Sequence, residues 1–200
     1  MRKLLSRIMK NHGWKFIVNI PPVNKCVICA APHTSNWDFI MGELASRSVG
    51  MKAKFLMKDT WFFFPLKYVL RALGGIPVSR NHRTNVTGGV IDSFNRRDKL
   101  AVAVTPEGTR SRNPHWHKGF LYISKEAGVP IVLGYFNYEK KIVCLDRLFE
   151  PTDDVEADML SIKQYYDSVD CKAKYPKNFT TGLEKQQLVS GKDEIAAPLS

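Results

Sequence analysis

Residues 25–38 read KCVICAAPHTSNWD. Their order of apolar run, polar turn and helix start introduces the alternation found along most of the chain. The first seven, Lys25 to Ala31, form a compact apolar run. Such a run is typical of a strand that is buried on both faces of a sheet. A mostly polar stretch from Pro32 to Asp38 follows at once, and Phe39 to Val49 then places apolar residues at helical spacing. The stretch predicts a buried strand, a polar turn and a helix.

The alternation of strands and helices continues on both sides of this stretch. We predict further strands at residues 14–20, 53–57, 76–79, 100–104, 130–136 and 141–145. We predict helices at residues 1–10, 61–73, 84–95 and 117–127, and another after Asp154. Strands that alternate with helices indicate an α/β fold. We therefore expect a central, mostly parallel sheet flanked by helices on both faces, in a single domain.

The sequence divides into three parts. Residues 1–24 form an N-terminal segment that begins with a short, basic amphipathic helix. Residues 25–177 form the globular domain. The hydrophobic pattern fades after that point, and residues 178–200 are predicted to be a polar C-terminal tail.

The charge of the chain is large and unevenly placed. The 200 residues carry 30 Lys and Arg against 19 Asp and Glu, a formal net charge of +11. Residues 1–120 have a net charge of +14, and residues 121–200 have −3. A positive field favours an anionic partner: nucleic acid, an anionic membrane surface or a phosphorylated substrate. The 11 Phe and 7 Tyr exclude a disordered chain, and the 4 Cys exclude a disulfide scaffold.

Hydropathy predicts a cytoplasmic protein without a membrane span. The longest aromatic and apolar run, Trp61 to Leu66, contains a proline and is far shorter than the roughly 20 residues that a transmembrane helix needs. The basic N-terminus lacks the apolar core of a signal peptide.

Polar residues follow three of the predicted strands. His33 and Asp38 follow the strand at residues 25–31, Arg80 follows the strand at 76–79, and Glu107 to Arg110 follow the strand at 100–104. In parallel sheets, chemistry tends to lie at the carboxyl ends of the strands. The three groups are therefore candidates for one site.

His33 and Asp38 allow two interpretations. In a His–Asp pair, the carboxylate fixes the imidazole tautomer and stabilises the imidazolium, so that the ring acts as a general base. Such a pair requires a bend between strand and helix. Alternatively, Ser35 and Asp38 have the spacing of a capping box, and Asp38 serves only the helix N-terminus. Local sequence alone favours the cap.

The segment Thr105 to Arg110 also allows two interpretations. A carboxylate, a Gly and an Arg at a strand end suit a phosphate or a hydroxylated substrate, since Arg binds phosphate in a bidentate manner. The alternative is a plain turn with an exposed Arg.

Other motifs carry less weight. Cys26 and Cys29 lie within one predicted strand, and we interpret them as core residues rather than a redox or zinc pair. His115 and His117 lack a third ligand nearby. We predict no metal site and no cofactor.

Four ordered blocks carry a resemblance to a known family. Residues 32–38 (PHTSNWD), 74–80 (GGIPVSR), 105–111 (TPEGTRS) and 128–132 (GVPIV) resemble the blocks of the glycerolipid acyltransferases, the lysophosphatidic acid acyltransferase family. The resemblance spans about residues 25–150. Three features depart from the family pattern: Pro32 before the His, the short segment before the first block, and residues 77–79 in the second.

The resemblance implies an activity and a set of site residues. It implies transfer of an acyl group from acyl-CoA or acyl-carrier protein to a hydroxyl of a lysophospholipid or glycerophosphate-like acceptor. It implies a glycerol-phosphate-acyltransferase-like fold at residues 25–177. It places His33 and Asp38 in catalysis, Asp38 orienting the histidine. It assigns substrate binding to Asn36, Arg80, Glu107, Gly108, Thr109 and Arg110. It also makes backbone amides near Gly108 candidate donors to the oxyanion of acyl transfer.

Both substrates of such an enzyme are amphiphilic, so we expect peripheral contact with an anionic membrane at its cytoplasmic face. Three features could supply that contact: the helix at residues 1–10, Trp14 with Phe16, and the aromatic cluster Trp61–Phe64. For the aromatic cluster we favour a place in the core or in an acyl-chain pocket over membrane insertion.

Two other functions stay open. A non-enzymatic basic module that binds lipid or nucleic acid rests on net charge alone. A thioesterase would use water in place of the acceptor. With the four blocks considered, we expect an enzyme and no nucleic-acid partner.

Overall fold

The computed structural model of the protein describes Arg7 and residues 11–48, 50–51, 53–78 and 83–183. The strands are β1 (Lys15–Val18), β2 (Lys25–Ala31), β3 (Lys54–Lys58), β4 (Gly75–Val78), β5 (Leu100–Val104), β6 (Ile131–Asn137) and β7 (Ile142–Phe149). The α-helices are α1 (Asn36–Ser48), α2 (Leu66–Ala72), α3 (Arg83–Asn95), α4 (Gly119–Glu126) and α5 (Val155–Ser168). Short 3₁₀ helices occupy Asp59–Trp61 and Pro176–Asn178.

The strands form one sheet in the order β1-β7-β6-β2-β5-β3-β4. All neighbouring strands are parallel except β6 and β7, which pair antiparallel. This architecture confirms the predicted α/β fold with a mostly parallel sheet.

Strand β2 lies in the interior of the sheet, paired with β5 on one side and β6 on the other. Its side chains alternate between two cores. Val27, Cys29 and Ala31 pack in a core that also contains residues of α3, α4 and α5. Cys26 and Ile28 pack in a second core on the opposite face. This double burial explains the continuous apolar run in the sequence.

Helices cover both faces of the sheet. Helix α1 packs on the second face through Met41 and Ala45. Helix α5 is anchored on the first face by Tyr166, which is buried and donates its hydroxyl hydrogen bond to the carbonyl oxygens of Cys29 (2.6 Å) and Gly134 (3.0 Å). The buried hydroxyl is thereby satisfied at the centre of the sheet.

The segment predicted as one helix at residues 61–73 is different in the structure. A 3₁₀ helix ends at Trp61, and α2 begins only after Pro65, which is its N-cap residue. Proline has no N–H to continue a helix and disfavours helical backbone in the residue before it. The prediction of a place in the core or in an acyl-chain pocket is wrong for Phe63 and Phe64 of this aromatic cluster, which are 57% and 75% exposed.

The packed structure extends beyond residues 25 and 177 at both ends. β1 pairs with β7, so residues 15–18 belong to the sheet. Near the other end, Thr180 and Thr181 are buried. The predicted helix at residues 1–10 (apart from Arg7), the residue Arg80 and the end of the chain from residue 184 lie outside the described residues. Within the described part of the chain, no helix has the length and apolar character that crossing a bilayer requires.

Candidate active site

The loops after β2 and β5 meet at one edge of the sheet. β2 and β5 are parallel neighbours, with Cys29 opposite Val104. Their carboxyl ends therefore point the same way, and the loop at residues 32–35 lies beside the loop that begins at Thr105. The structure thus brings the first and third sequence blocks together, as the strand-end argument predicts.

His33 and Asp38 are in contact. Nδ1 of His33 lies 3.2 Å from Oδ2 of Asp38, and the carboxylate is buried. This separation is within hydrogen-bond reach, although the geometry at Nδ1 is not that of an aligned hydrogen bond. Catalytic hydrogen bonds are often poorly aligned in an enzyme without substrate and tighten when substrate binds. With Nδ1 turned to Asp38, Nε2 is the nitrogen left for proton transfer.

Asp38 also caps helix α1. Its Oδ2 accepts hydrogen bonds from the backbone N–H groups of Thr34 (2.7 Å) and Ser35 (2.8 Å). The N–H of Trp37 in turn donates to Oγ of Ser35 at 3.2 Å, which completes a capping box. The two interpretations of Asp38 are therefore compatible, because one carboxylate closes the helix end and faces the imidazole.

Tyr138 is a member of the site that the sequence patterns missed. Its hydroxyl donates to Oδ1 of Asp38 at 2.5 Å, and burial together with that hydrogen bond raises the pKa of Tyr138. Trp14 packs edge-on against the Tyr138 ring, with 5.2 Å between centroids. Tyr138 directly follows β6 and lies 100 residues from Asp38, so no local motif marks it.

Glu107 holds the loop that carries His33. Both carboxylate oxygens accept the backbone N–H of His33, at 3.0 and 2.9 Å. The side chain is buried, and burial raises the pKa of Glu107 to about 8. The resemblance assigns Glu107 to substrate binding, but in the structure its oxygens face the His33 backbone. Glu107 is also not among the residues that line the cavity beside His33, between α1 and the sheet.

Gly108 is required by its surroundings. Its φ is +65°, and a Cβ built at this position would lie 2.3 Å from Cδ2 of His117. The N–H of Gly108 donates to the carbonyl of Thr105 at 3.1 Å. That N–H is therefore engaged in the turn, and the expectation that backbone amides near Gly108 donate to an oxyanion stays a prediction for the other amides of this loop.

Of the remaining predicted site residues that the structure describes, two line the cavity between α1 and the sheet and one does not. Thr109 and Arg110 line the cavity beside His33. The guanidinium carbon of Arg110 lies 5.9 Å from the centroid of Trp61. Asn36 is exposed in the first turn of α1 and is not among the cavity-lining residues.

A cavity of about 680 Å³ is lined by His33 and extends between α1 and the sheet. Phe39, Gly42 and Ser46, spaced three and four residues apart, line it from one face of α1. The sheet supplies the facing wall, with Ile28, Ala30, Phe55, Ala103 and Phe136. Small residues at positions 30, 42 and 103 leave room between helix and sheet. Apolar walls with polar groups at the opening suit an amphiphilic ligand.

The cysteines of β2 belong to the core. Cys26 and Cys29 face opposite sides of the sheet, and burial raises the pKa of each thiol to about 12. A high pKa keeps a thiol protonated and unreactive. The interpretation as core residues is confirmed.

Comparison with known proteins decides the family. A family model described as acyltransferase matches residues 15–133. The chain belongs to the acyltransferase family.

The fold of this acyltransferase is also seen in a solved structure. The 1-acyl-sn-glycerophosphate (LPA) acyltransferase PlsC from Thermotoga maritima matches with a TM-score of 0.51 and 20% sequence identity, over 100% of this chain and 79% of that one. At this identity the likeness concerns the fold alone. A comparison with curated protein sequences found no significant match.

The geometry suits acyl transfer by this acyltransferase. A histidine with an aspartate on Nδ1 can accept a proton at Nε2 and return it. Glu107 and the capping box fix the histidine-bearing loop from two sides. Pre-organisation of this kind keeps the catalytic side chains oriented before substrate arrives.

Proposed function

We propose that this acyltransferase moves a fatty acyl group from an acyl thioester to a hydroxyl of a lysophospholipid or glycerophosphate-like acceptor. The thioester is acyl-CoA or acyl-carrier protein. One observation carries the proposal: the His33–Asp38 pair lines a cavity whose other walls are largely apolar. Such a cavity accommodates an alkyl chain and leaves its carbonyl end near the imidazole.

The proposed reaction has two proton transfers. Nε2 of His33 takes the proton of the acceptor hydroxyl as its oxygen attacks the thioester carbonyl. The tetrahedral intermediate collapses, the C–S bond breaks, and the imidazolium returns the proton to the departing thiolate. Asp38 stabilises the imidazolium between the two steps. General base catalysis of this kind contributes roughly 10²–10⁴ in rate.

A phosphate on the acceptor would find cations at the rim of the cavity. Lys58 and Arg110 line the rim, and both are exposed. Arg80 completes this set in the proposal on the strength of the second sequence block. The solved structure of similar fold is named as an LPA acyltransferase, so lysophosphatidic acid is the first acceptor to test.

The same substrates place the enzyme at a membrane. Lysophospholipids reside at lipid surfaces, and a net charge of +11 favours an anionic surface. We therefore propose peripheral contact with the cytoplasmic face of the membrane.

Thiol release from an acyl thioester, measured with a panel of acceptors and with lipid mass spectrometry, tests the proposal. We expect release to depend on a phosphate-bearing acceptor and the acylated product to appear. Asp38→Asn should reduce turnover strongly, because it removes the carboxylate that stabilises the imidazolium. Its amide oxygen can still accept the capping hydrogen bonds from the N–H groups of residues 34 and 35. Release at the same rate without acceptor would identify a thioesterase instead.

A further inference from the structure

The segment between β3 and the end of α2 presents an aromatic surface to solvent. Five side chains form this surface, which we call the aromatic ridge: Trp61, Phe63, Phe64, Tyr68 and Val69. Each of them is between 41% and 75% exposed. Apolar residues scattered singly over a surface are ordinary, but a contiguous exposed group marks an interaction site.

Cations border the aromatic ridge. Nζ of Lys67 lies 5.1 Å from the ring centroid of Tyr68, and the guanidinium of Arg110 lies over Trp61. Lys58 and Arg71 are exposed at the two ends of the segment, and Asp59 is the acidic residue within it. Aromatic rings flanked by Lys and Arg match the chemistry of the interfacial layer of an anionic bilayer.

The aromatic ridge is continuous with the cavity. Trp61 belongs to both, and Lys58 and Arg110, which border the ridge, also line the cavity. A surface that rests on a bilayer at this point would bring the opening of the cavity to the level of the lipid headgroups. An amphiphilic substrate could then enter without exposing its chain to water, which avoids the cost of hydrating apolar surface.

We propose that the aromatic ridge is the surface with which this protein docks on an anionic lipid bilayer. Phe63 and Phe64 insert among the acyl chains, and Lys67 and Arg71 contact lipid phosphates. This docking surface rests on the proposed function, because it is the surface that would make the membrane contact proposed there. Vesicle binding and acyl transfer are measured separately, so either can fail without the other.

Vesicle sedimentation provides the test. Wild type is compared with Phe63→Ser/Phe64→Ser on vesicles of phosphatidylcholine and on vesicles that also contain phosphatidylglycerol. Tyr122→Ser/Leu160→Ser is the matched control, because it removes two exposed apolar side chains from α4 and α5. We expect the ridge variant to partition about ten-fold to a hundred-fold less well, and the control to match wild type.

A charge-reversal pair tests the cations. Lys67→Glu and Lys177→Glu change the net charge equally, and Lys177 is exposed in the 3₁₀ helix at Pro176–Asn178. Lys67→Glu should weaken binding to phosphatidylglycerol vesicles more than Lys177→Glu does, and added salt should reduce that difference.

Two outcomes would overturn the proposal. One is equal vesicle binding by wild type and the ridge variant. The other is a dimer of wild type, seen by sedimentation equilibrium and lost in the ridge variant, since the occupant would then be a second copy of the chain.

Activity on a dispersed substrate keeps this proposal separate from the proposed function. With a short-chain thioester and an acceptor below its critical micelle concentration, the ridge variant should turn over like wild type, and it should lose activity only on acceptor embedded in vesicles. If wild type transfers no acyl group while its vesicle binding depends on the ridge, the proposed function fails and the docking surface stands.

Discussion

The two oxygens of Asp38 have different partners. Oδ1 accepts the Tyr138 hydroxyl, and Oδ2 accepts two backbone N–H groups while it faces the imidazole of His33. The Tyr138 hydrogen bond restricts rotation of the carboxylate and keeps Oδ2 toward His33. Tyr138 is thus a positioning residue for the pair, acting through Asp38.

Replacing Tyr138 by Phe tests that role. The substitution removes a hydrogen bond to a charged group, worth about 1.5–3 kcal/mol, and keeps the ring that packs on Trp14. We expect kcat for acyl transfer to fall roughly ten-fold to a hundred-fold while KM changes little. Steady-state kinetics beside thermal unfolding measures both effects. Tyr122→Phe, on the exposed face of α4, is the control, and an unchanged kcat in Tyr138→Phe would contradict the role.

Gly108 offers a second residue-scale test with a matched control. Gly108 and Gly128 have φ values of +65° and +61°, but an added Cβ meets His117 only at Gly108 and nothing within 4 Å at Gly128. Gly128→Ala should therefore lower the free energy of unfolding by about 1–2 kcal/mol through backbone strain alone. Gly108→Ala should lower it clearly further, and should reduce turnover as well. Denaturant unfolding measures the two variants, and equal losses would show that the His117 contact is unimportant.

At the scale of the elements, Glu107 joins the loop after β5 to the loop after β2. The carboxylate is buried between them, and burial raises its pKa from 4.5 to about 8. Between these two values the unfolded chain ionises Glu107 while the folded protein keeps it largely protonated. The contribution of Glu107 to stability is therefore full below pH 4.5 and is lost as pH rises through about 8.

The pH dependence of unfolding checks this linkage. Glu107→Gln cannot ionise, so the stability of wild type relative to this variant should decline from about pH 4.5 to about pH 8. Urea unfolding across that range gives the difference directly. The exposed Glu126→Gln on α4 serves as a control for surface carboxylates. A difference between wild type and Glu107→Gln that does not change with pH would refute the buried, raised-pKa state.

The elements show where sequence patterns succeed. Strands β2 and β5 lie where their continuous apolar runs place them, because burial on both faces demands such runs. The helix predicted at residues 61–73 fails at Pro65, where backbone chemistry overrides apolar periodicity. The sequence also cannot show whether an aromatic cluster is covered, and Phe63 and Phe64 are exposed although a core or acyl-chain-pocket position is favoured for their cluster.

The site shows the same division. His33 and Asp38 are five residues apart, so local sequence offers their pairing as one alternative beside the helix cap, and the sequence blocks favour it. Glu107 lies 74 residues from His33, and Tyr138 lies 100 residues from Asp38. Those contacts depend on the strand order β6-β2-β5, which local patterns do not contain. The sequence blocks identify Glu107 as a member of the site but not its contact with the His33 backbone.

At the scale of the whole molecule, the cavity and the aromatic ridge both belong to the basic part of the chain. The cavity rim and the aromatic ridge lie within residues 1–120, the part with a net charge of +14. The proposed lipid surface and the phosphate of the proposed acceptor both carry the opposite sign, so one field can serve docking and substrate capture. The aromatic ridge and the cavity rim meet at Trp61, which belongs to both and lies under the guanidinium of Arg110.

The central claim is that His33 is the general base of acyl transfer. Acceptor-dependent thiol release by His33→Ala, compared with wild type at equal folded concentration, tests it most directly. The account predicts a loss of roughly 10²–10⁴ in kcat with vesicle binding unchanged. Turnover near the wild-type rate in His33→Ala would contradict it.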